Sequence, residues 1–149
     1  MKILYHHRIA SKDGQYVHVE ELIKALRAQG HELIVVGPKV AEDKEFGSEG
    51  GWVARLRSVL PKSIYELLEF AYSAVAYFKL RQAVISQRPD CLYERYNLVL
   101  PAGVWISKRF KLPMLSEVNA PLYEERSRFG GLRLKKLALW SQHYVWRNA

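Results

Sequence analysis

Two short stretches hold the side chains best suited to chemistry: Glu94-Arg95-Tyr96-Asn97 and Glu117-Val118-Asn119-Ala120-Pro121. Each places a carboxylate, then an amide, at or just beyond the end of an apolar run, a combination that can both accept and donate hydrogen bonds to hydroxyl groups. Carboxylates at the ends of buried strands are costly unless paired. Glu94 and Glu117 therefore need Arg95, Arg126 or a network of sugar hydroxyls beside them, and a structural Glu–Arg pair explains them as well as a substrate contact does. Asn119 and Pro121 suit a fixed binding turn. A third stretch, Asp13-Gly14, stands just before a helical pattern, where backbone N–H groups can accept a phosphate, although a plain turn and helix start has the same composition. His18 falls in the first turn of that helix and is as much a packing residue as a ligand contact. His6, His7 and His18 include no H-x-x-x-H pair, and Cys91 is far away in sequence, so no metal site is expected.

These residues need a scaffold, and the hydrophobic pattern predicts one. Lys2 to His6 reads as a strand, and Val19, Leu22, Ile23 and Leu26 make one helical stripe with Glu20 and Glu21 in its first turn and Gly30 beyond its end. Glu32 to Gly37 is a β-branched run with the look of a strand buried on both faces, so the first forty residues form a βαβ unit. Val40 to Gly51 is polar and reads as a mobile loop, and Trp52 to Leu56 alternates weakly, as a short edge strand would. Pro61 then opens a long helix whose Ser63 and Glu66 have capping-box spacing; it stops before Arg88-Pro89, with most of its apolar residues facing the core. Cys91 to Tyr96 and Pro113 to Val118 read as strands, and Leu98 to Phe110 as a helix between them. A last helix covers Leu132 to Trp146, with Leu134, Leu137, Trp140 and Tyr144 on one face. Alternation of this kind predicts an α/β, doubly wound parallel sheet in a single domain spanning residues 1–149. In such sheets ligands bind at the carboxyl ends of the strands, which selects the connections 6–17, 95–98 and 117–123.

The first connection lacks both the G-x-G-x-x-G of dinucleotide enzymes and a Walker A loop, which argues against a dehydrogenase and an NTPase. The longest apolar segment, Ile64 to Leu80, contains Glu66, Glu69 and Lys79, which are costly at mid-bilayer. A net charge of +8 points to an anionic partner. Arg126, Arg128, Arg133, Lys135 and Lys136 cluster around Phe129 and Leu132, a composition that suits the surface of an anionic membrane. No helix-turn-helix, zinc-finger, RNP or KH signature accompanies the charge, so no nucleic-acid partner is expected. A single cysteine fits a reducing cytosol.

The opening MKILYHH, the run Asp13-Gly14-x-x-x-His18-Val19-x-Glu21-Leu22 leading to Gly30-His31-Glu32, and the blocks 89–96 and 113–121 occur in an order and spacing that resembles the N-terminal domain of family 4 glycosyltransferases, retaining enzymes built from two Rossmann-like domains (GT-B). The resemblance covers essentially the whole chain. It implies a Rossmann-like fold, one half of a GT-B enzyme that builds a surface polysaccharide or glycolipid by metal-independent transfer from a sugar-nucleotide. No cofactor is implied beyond that donor, which is held mainly by a second domain carrying an E-x₇-E motif. Asp13, Gly14 and His18 would lie near the donor pyrophosphate. Glu94, Arg95, Asn97, Glu117 and Asn119 would line the acceptor side, and the resemblance assigns no catalytic residue. Asp13 replaces the family's usual first glycine, and Asn119 stands where many relatives carry a histidine. Relatives pass from a helix into another strand where this chain ends at Trp146 to Ala149, so a fragment with little activity of its own is expected. The place implied is the cytoplasm, or the inner face of the plasma membrane. A non-catalytic module for a membrane surface or an anionic ligand is the alternative.

Overall fold

Four short runs rich in branched and aromatic residues become strands because such side chains pack well on a pleated, at least half-covered surface. In the computed structural model, which describes residues 1–9, 14–38 and 58–149, they are β1 (Lys2–His6), β2 (Glu32–Val36), β3 (Cys91–Arg95) and β4 (Met114–Glu117). All pair in parallel, in the order β2-β1-β3-β4. Five helices accompany them: α1 (Gly14–Ala28), α2 (Lys62–Gln87), α3 (Ala102–Phe110), α4 (Leu122–Arg128) and α5 (Lys135–Asn148). The fold is a Rossmann-like α/β sheet. Asp13, the stretch Val40 to Gly51 and the strand expected at Trp52 to Leu56 lie outside the described residues.

The side chains of a strand alternate between its two faces. Leu4 and Leu92 therefore share one face, where they join Ala76, Leu80 and Val84 of α2 and Ala102 and Ile106 of α3 in the main core. Tyr5, Tyr93, Arg95 and Glu117 take the other face, where the rings of Tyr5 and Tyr93 lie 5.4 Å apart and His18 of α1 reaches Glu117. After β2 the chain crosses to the opposite side of β1, so the switch point falls between β1 and β3.

Several local expectations change. Helix α1 begins at Gly14, so Glu20 and Glu21 occupy its second turn and its first turn has no acid. Strand β2 is an edge among the described strands and is only partly covered, not buried on both faces. Helix α3 starts at Ala102, because Pro101 disfavours helix at the residue before it; Leu98 to Leu100 are buried in the preceding turn. Helix α5 buries Ala138, Ser141, Gln142 and Val145, while Trp140 remains about half exposed. The smaller face fits against α3 and the 98–99 turn, and the aromatic face stacks Trp140 on Tyr144 outside it. Helix α4 is an element to which the sequence pattern assigns nothing beyond the connection 117–123; Pro121 opens it, and Glu124 and Glu125 in its first turn suit the positive end of the helix dipole.

The capping box does not form. Pro61 precedes α2 with no side-chain cap, its carbonyl accepting from the N–H groups of Ile64 and Tyr65. Glu66 is instead drawn across to the start of α5, where its carboxylate accepts from the N–H groups of Arg133 (2.9 Å) and Leu134 (2.6 Å). Helix α2 also departs from the expected core-facing pattern. It touches the sheet and α3 along one stripe only, which leaves Ile64, Leu68, Val75, Phe78 and Ile85 exposed on its other side.

Candidate functional site

The carboxyl edge of the sheet gathers groups from three connections. In-register pairing of β1 with β3 sets His6 beside Glu94 at the switch point. His6 Nδ1 lies 2.6 Å from Glu94 Oε2, and both side chains are almost wholly buried. The Glu94 carboxyl packs on the first turn of α3 against Gly103, where a Cβ would collide with it, so only glycine admits the close approach. That position also sets a negative charge at the favourable end of a helix dipole. The other Glu94 oxygen, Oε1, is buried with no hydrogen-bond partner among the described residues. The partners expected for Glu94 were Arg95, Arg126 or a network of sugar hydroxyls; the side chain that the structure sets against it is His6, because Arg95 alternates to the opposite face and Arg126 pairs with Glu69.

On that face Glu117 is a hub. Its Oε1 accepts from Arg95 Nη1 (3.0 Å), His18 Nε2 (2.9 Å) and Asn119 Nδ2 (2.5 Å), bringing β3, α1 and the turn after β4 onto one oxygen. Burial pushes the Glu117 carboxyl up, but the hydrogen bonds from Asn119 and His18 and the charge of Arg95 outweigh it and hold the group below the usual carboxylate range. Glu117 is thus a fixed anionic acceptor at neutral pH and a weak general base. The Glu–Arg pair foreseen for this residue is present, with His18 and Asn119 added to it.

The remaining expected residues fall on the same edge with different exposure. Gly14 opens α1, and among the described residues nothing beyond its chain neighbours and its own helix comes within 4 Å of where a Cβ would stand. Asn97 is half-buried in the β3–α3 turn, and its carbonyl accepts from the Leu100 N–H. Arg8, just past β1, lays its guanidinium 4.7 Å from the centre of the Tyr72 ring. Of the basic cluster, Arg126 is bound to Glu69 (2.8 Å), whereas Arg128, Arg133, Lys135 and Lys136 are exposed. Among the described residues no group of three or more His, Cys, Asp or Glu side chains could hold a metal ion.

His6 and Gly103 were not singled out by sequence reasoning for any role. The usable signal was weak: a histidine at a strand end, and a small-residue pair, Ala102-Gly103, opening a helix. His7, next along, is buried and neutral. Burial above all, with His6 and Arg95 disfavouring a further positive charge, pushes its imidazole down to about 4 from an ordinary 6.5, and its Nδ1 accepts from the Ile9 N–H (3.2 Å). Because the unfolded chain binds this proton more readily, stability is intact above pH 6.5 and falls as the pH drops towards 4. The loss due to His7 between pH 6.5 and 5 should reach about 2 kcal/mol. Urea titrations across that range should show a flatter profile for His7→Asn, which keeps an acceptor and loses the titration; identical slopes would refute the assignment.

No curated protein sequence matches this chain significantly. The family comparison is positive: residues 13–149 match the glycosyl transferase 4-like domain, a span that takes in every element of this edge except β1, and the chain belongs to that family.

Proposed function

We propose that this domain is the acceptor-side half of a sugar-nucleotide-dependent glycosyltransferase, acting in the synthesis of a surface polysaccharide or glycolipid. The observation that carries the reading is the convergence of Arg95, His18 and Asn119 on Glu117 at the carboxyl edge, next to the switch point of a chain of this family. A carboxylate held ionised and flanked by guanidinium and amide donors offers an acceptor sugar both hydrogen-bond polarities, as hydroxyl recognition requires. In this reading Glu117, Arg95 and Asn119 orient the acceptor, with Asn97 and the Glu94 side of the β3 turn forming the neighbouring wall. Gly14 and His18, at the start of α1, face the donor phosphates, whose leaving-group charge the helix N-terminus favours. The nucleotide itself is held chiefly by a second domain.

Saturation-transfer NMR with a panel of oligosaccharides and glycolipid headgroups tests the acceptor role directly. Magnetisation should pass to the sugar protons of an acceptor, and Glu117→Ala should weaken that binding about tenfold or more, the loss expected for a hydrogen bond to a charged group. Far-UV circular dichroism establishes that the variant is folded. No transfer to any acceptor by the folded wild type, or equal transfer by Glu117→Ala, would sink the reading.

A further inference from the structure

The exposed side of α2 has the makings of a surface of its own. Ile64, Leu68, Val75, Phe78 and Ile85 recur at intervals of three, four and seven residues, so they form one continuous apolar stripe along a helix of 26 residues, about 39 Å long. Phe78 is 66 % exposed. The only carboxylates of the helix, Glu66 and Glu69, turn inward, the first onto the start of α5 and the second onto Arg126. Among the described residues, the charges that the helix and its C-terminal end present to solvent are therefore positive: Lys62, Lys79, Arg81 and Arg88 are exposed. At the N-terminal end of the helix the exposed Arg133 lines a cleft with Lys62 and Ser63. Because α2 leads back into β3, a strand parallel to β1, that end of the helix stands towards the carboxyl edge of the sheet.

We propose that this face docks on an anionic lipid bilayer, with α2 lying in the interface and its apolar stripe among the acyl chains. A helix with an apolar stripe whose own exposed charges are cationic matches the two layers of such a surface, hydrocarbon below and anionic headgroups beside it. No helix among the described residues is long and apolar enough to cross a membrane, so the contact is peripheral. A second copy of the chain fits less well, since pairing two α2 faces would bring two cationic rims together in a protein whose net charge is already +8.

Co-sedimentation with vesicles of equimolar phosphatidylglycerol and phosphatidylcholine tests the proposal. The vesicles carry no glycan, so the outcome is independent of the glycosyltransferase reading. At low salt the wild type should pellet with anionic vesicles and about tenfold less with pure phosphatidylcholine. The double variant L68E/F78E, altered only at exposed positions and verified folded by circular dichroism, should lose at least about tenfold in partitioning. K79E/R81E should lose binding to anionic vesicles by a similar factor. A wild type that stays in the supernatant, or an L68E/F78E variant that pellets as well as wild type, overturns the proposal. So does a lipid-free dimer that L68E/F78E dissociates, which would make a second copy the occupant.

Discussion

Glu94→Ala should lower the stability of the domain by about 3–5 kcal/mol, the cost of breaking a buried pair by deleting one partner. The reason lies in what remains. His6 keeps a buried ring nitrogen that loses its partner, the Glu94 carboxylate 2.6 Å away, and the first turn of α3 loses the anion that packs against Gly103. A natural domain has about 5–15 kcal/mol in total, so much of the native population is at stake. Urea unfolding gives the value directly; an unchanged m with a lower midpoint assigns the loss to the native state. Glu94→Gln, which keeps an acceptor for His6 without the charge, should cost less, about 1–3 kcal/mol. A loss below about 1 kcal/mol for Glu94→Ala would mean that water reaches His6 readily and that the pair contributes little. The double variant His6→Leu/Glu94→Leu separates two roles for the pair. Since replacing both partners of a buried polar pair by apolar groups is often nearly neutral, it should recover much of the stability. Any acceptor binding still lost in it is then attributable to the shape of the switch point.

Glu66→Ala should cost about 3 kcal/mol, because it strands two backbone donors, the N–H groups of Arg133 and Leu134, and removes an anion from the positive end of α5. Leu134 caps α5 without a side-chain hydrogen bond of its own, so the carboxylate from α2 is the cap. Amide exchange discriminates this mechanism from a general loss of packing: the first turn of α5 should exchange at least about tenfold faster, beyond the change in global stability, while β1 and β3 follow the global value alone. Glu66→Gln should sit between, retaining an acceptor and losing the charge. Uniform acceleration at all sites would reject the capping role.

The strands were legible to within a residue or two, because a parallel strand buried against helices is a short run of branched residues whatever its neighbours. Legibility ended where partners are remote. Ser63 and Glu66 have the spacing of a local cap, yet Glu66 prefers two N–H donors 67 and 68 residues away, and no local pattern encodes that choice. The same holds for His6 and Glu94, separated by 88 residues and brought together only by the sheet order. Arg95 was the natural guess for Glu94 because the two are adjacent in sequence, but neighbours in a strand point to opposite faces. Glu117 was read more fully, since its carboxylate, the nearby Asn119 and the arginine needed for charge balance were all visible; the third donor, His18, comes from α1. The two faces of α2 were confused for a different reason. Its aromatic and aliphatic residues are spread around the helix, and only the packed structure shows which stripe the sheet and α3 cover.

The sheet order also bears on how the protein is made. Strand β1 lies at the centre, but its partner on one side, β3, begins at Cys91 and follows the whole of α2 in the chain. During synthesis at roughly 5–20 residues per second, the nascent β1–β2 hydrogen-bonded pair waits about 3–12 s for the residues that complete its open edge. Through that interval Leu4 and Tyr5 have no β3 beside them and His6 has no Glu94. The ordering of non-local parallel pairs is slow in its own right. A nascent chain held in this state is a natural client for chaperones, and slowing elongation before Cys91 should raise the aggregated fraction, whereas slowing it after Glu117 should have much less effect.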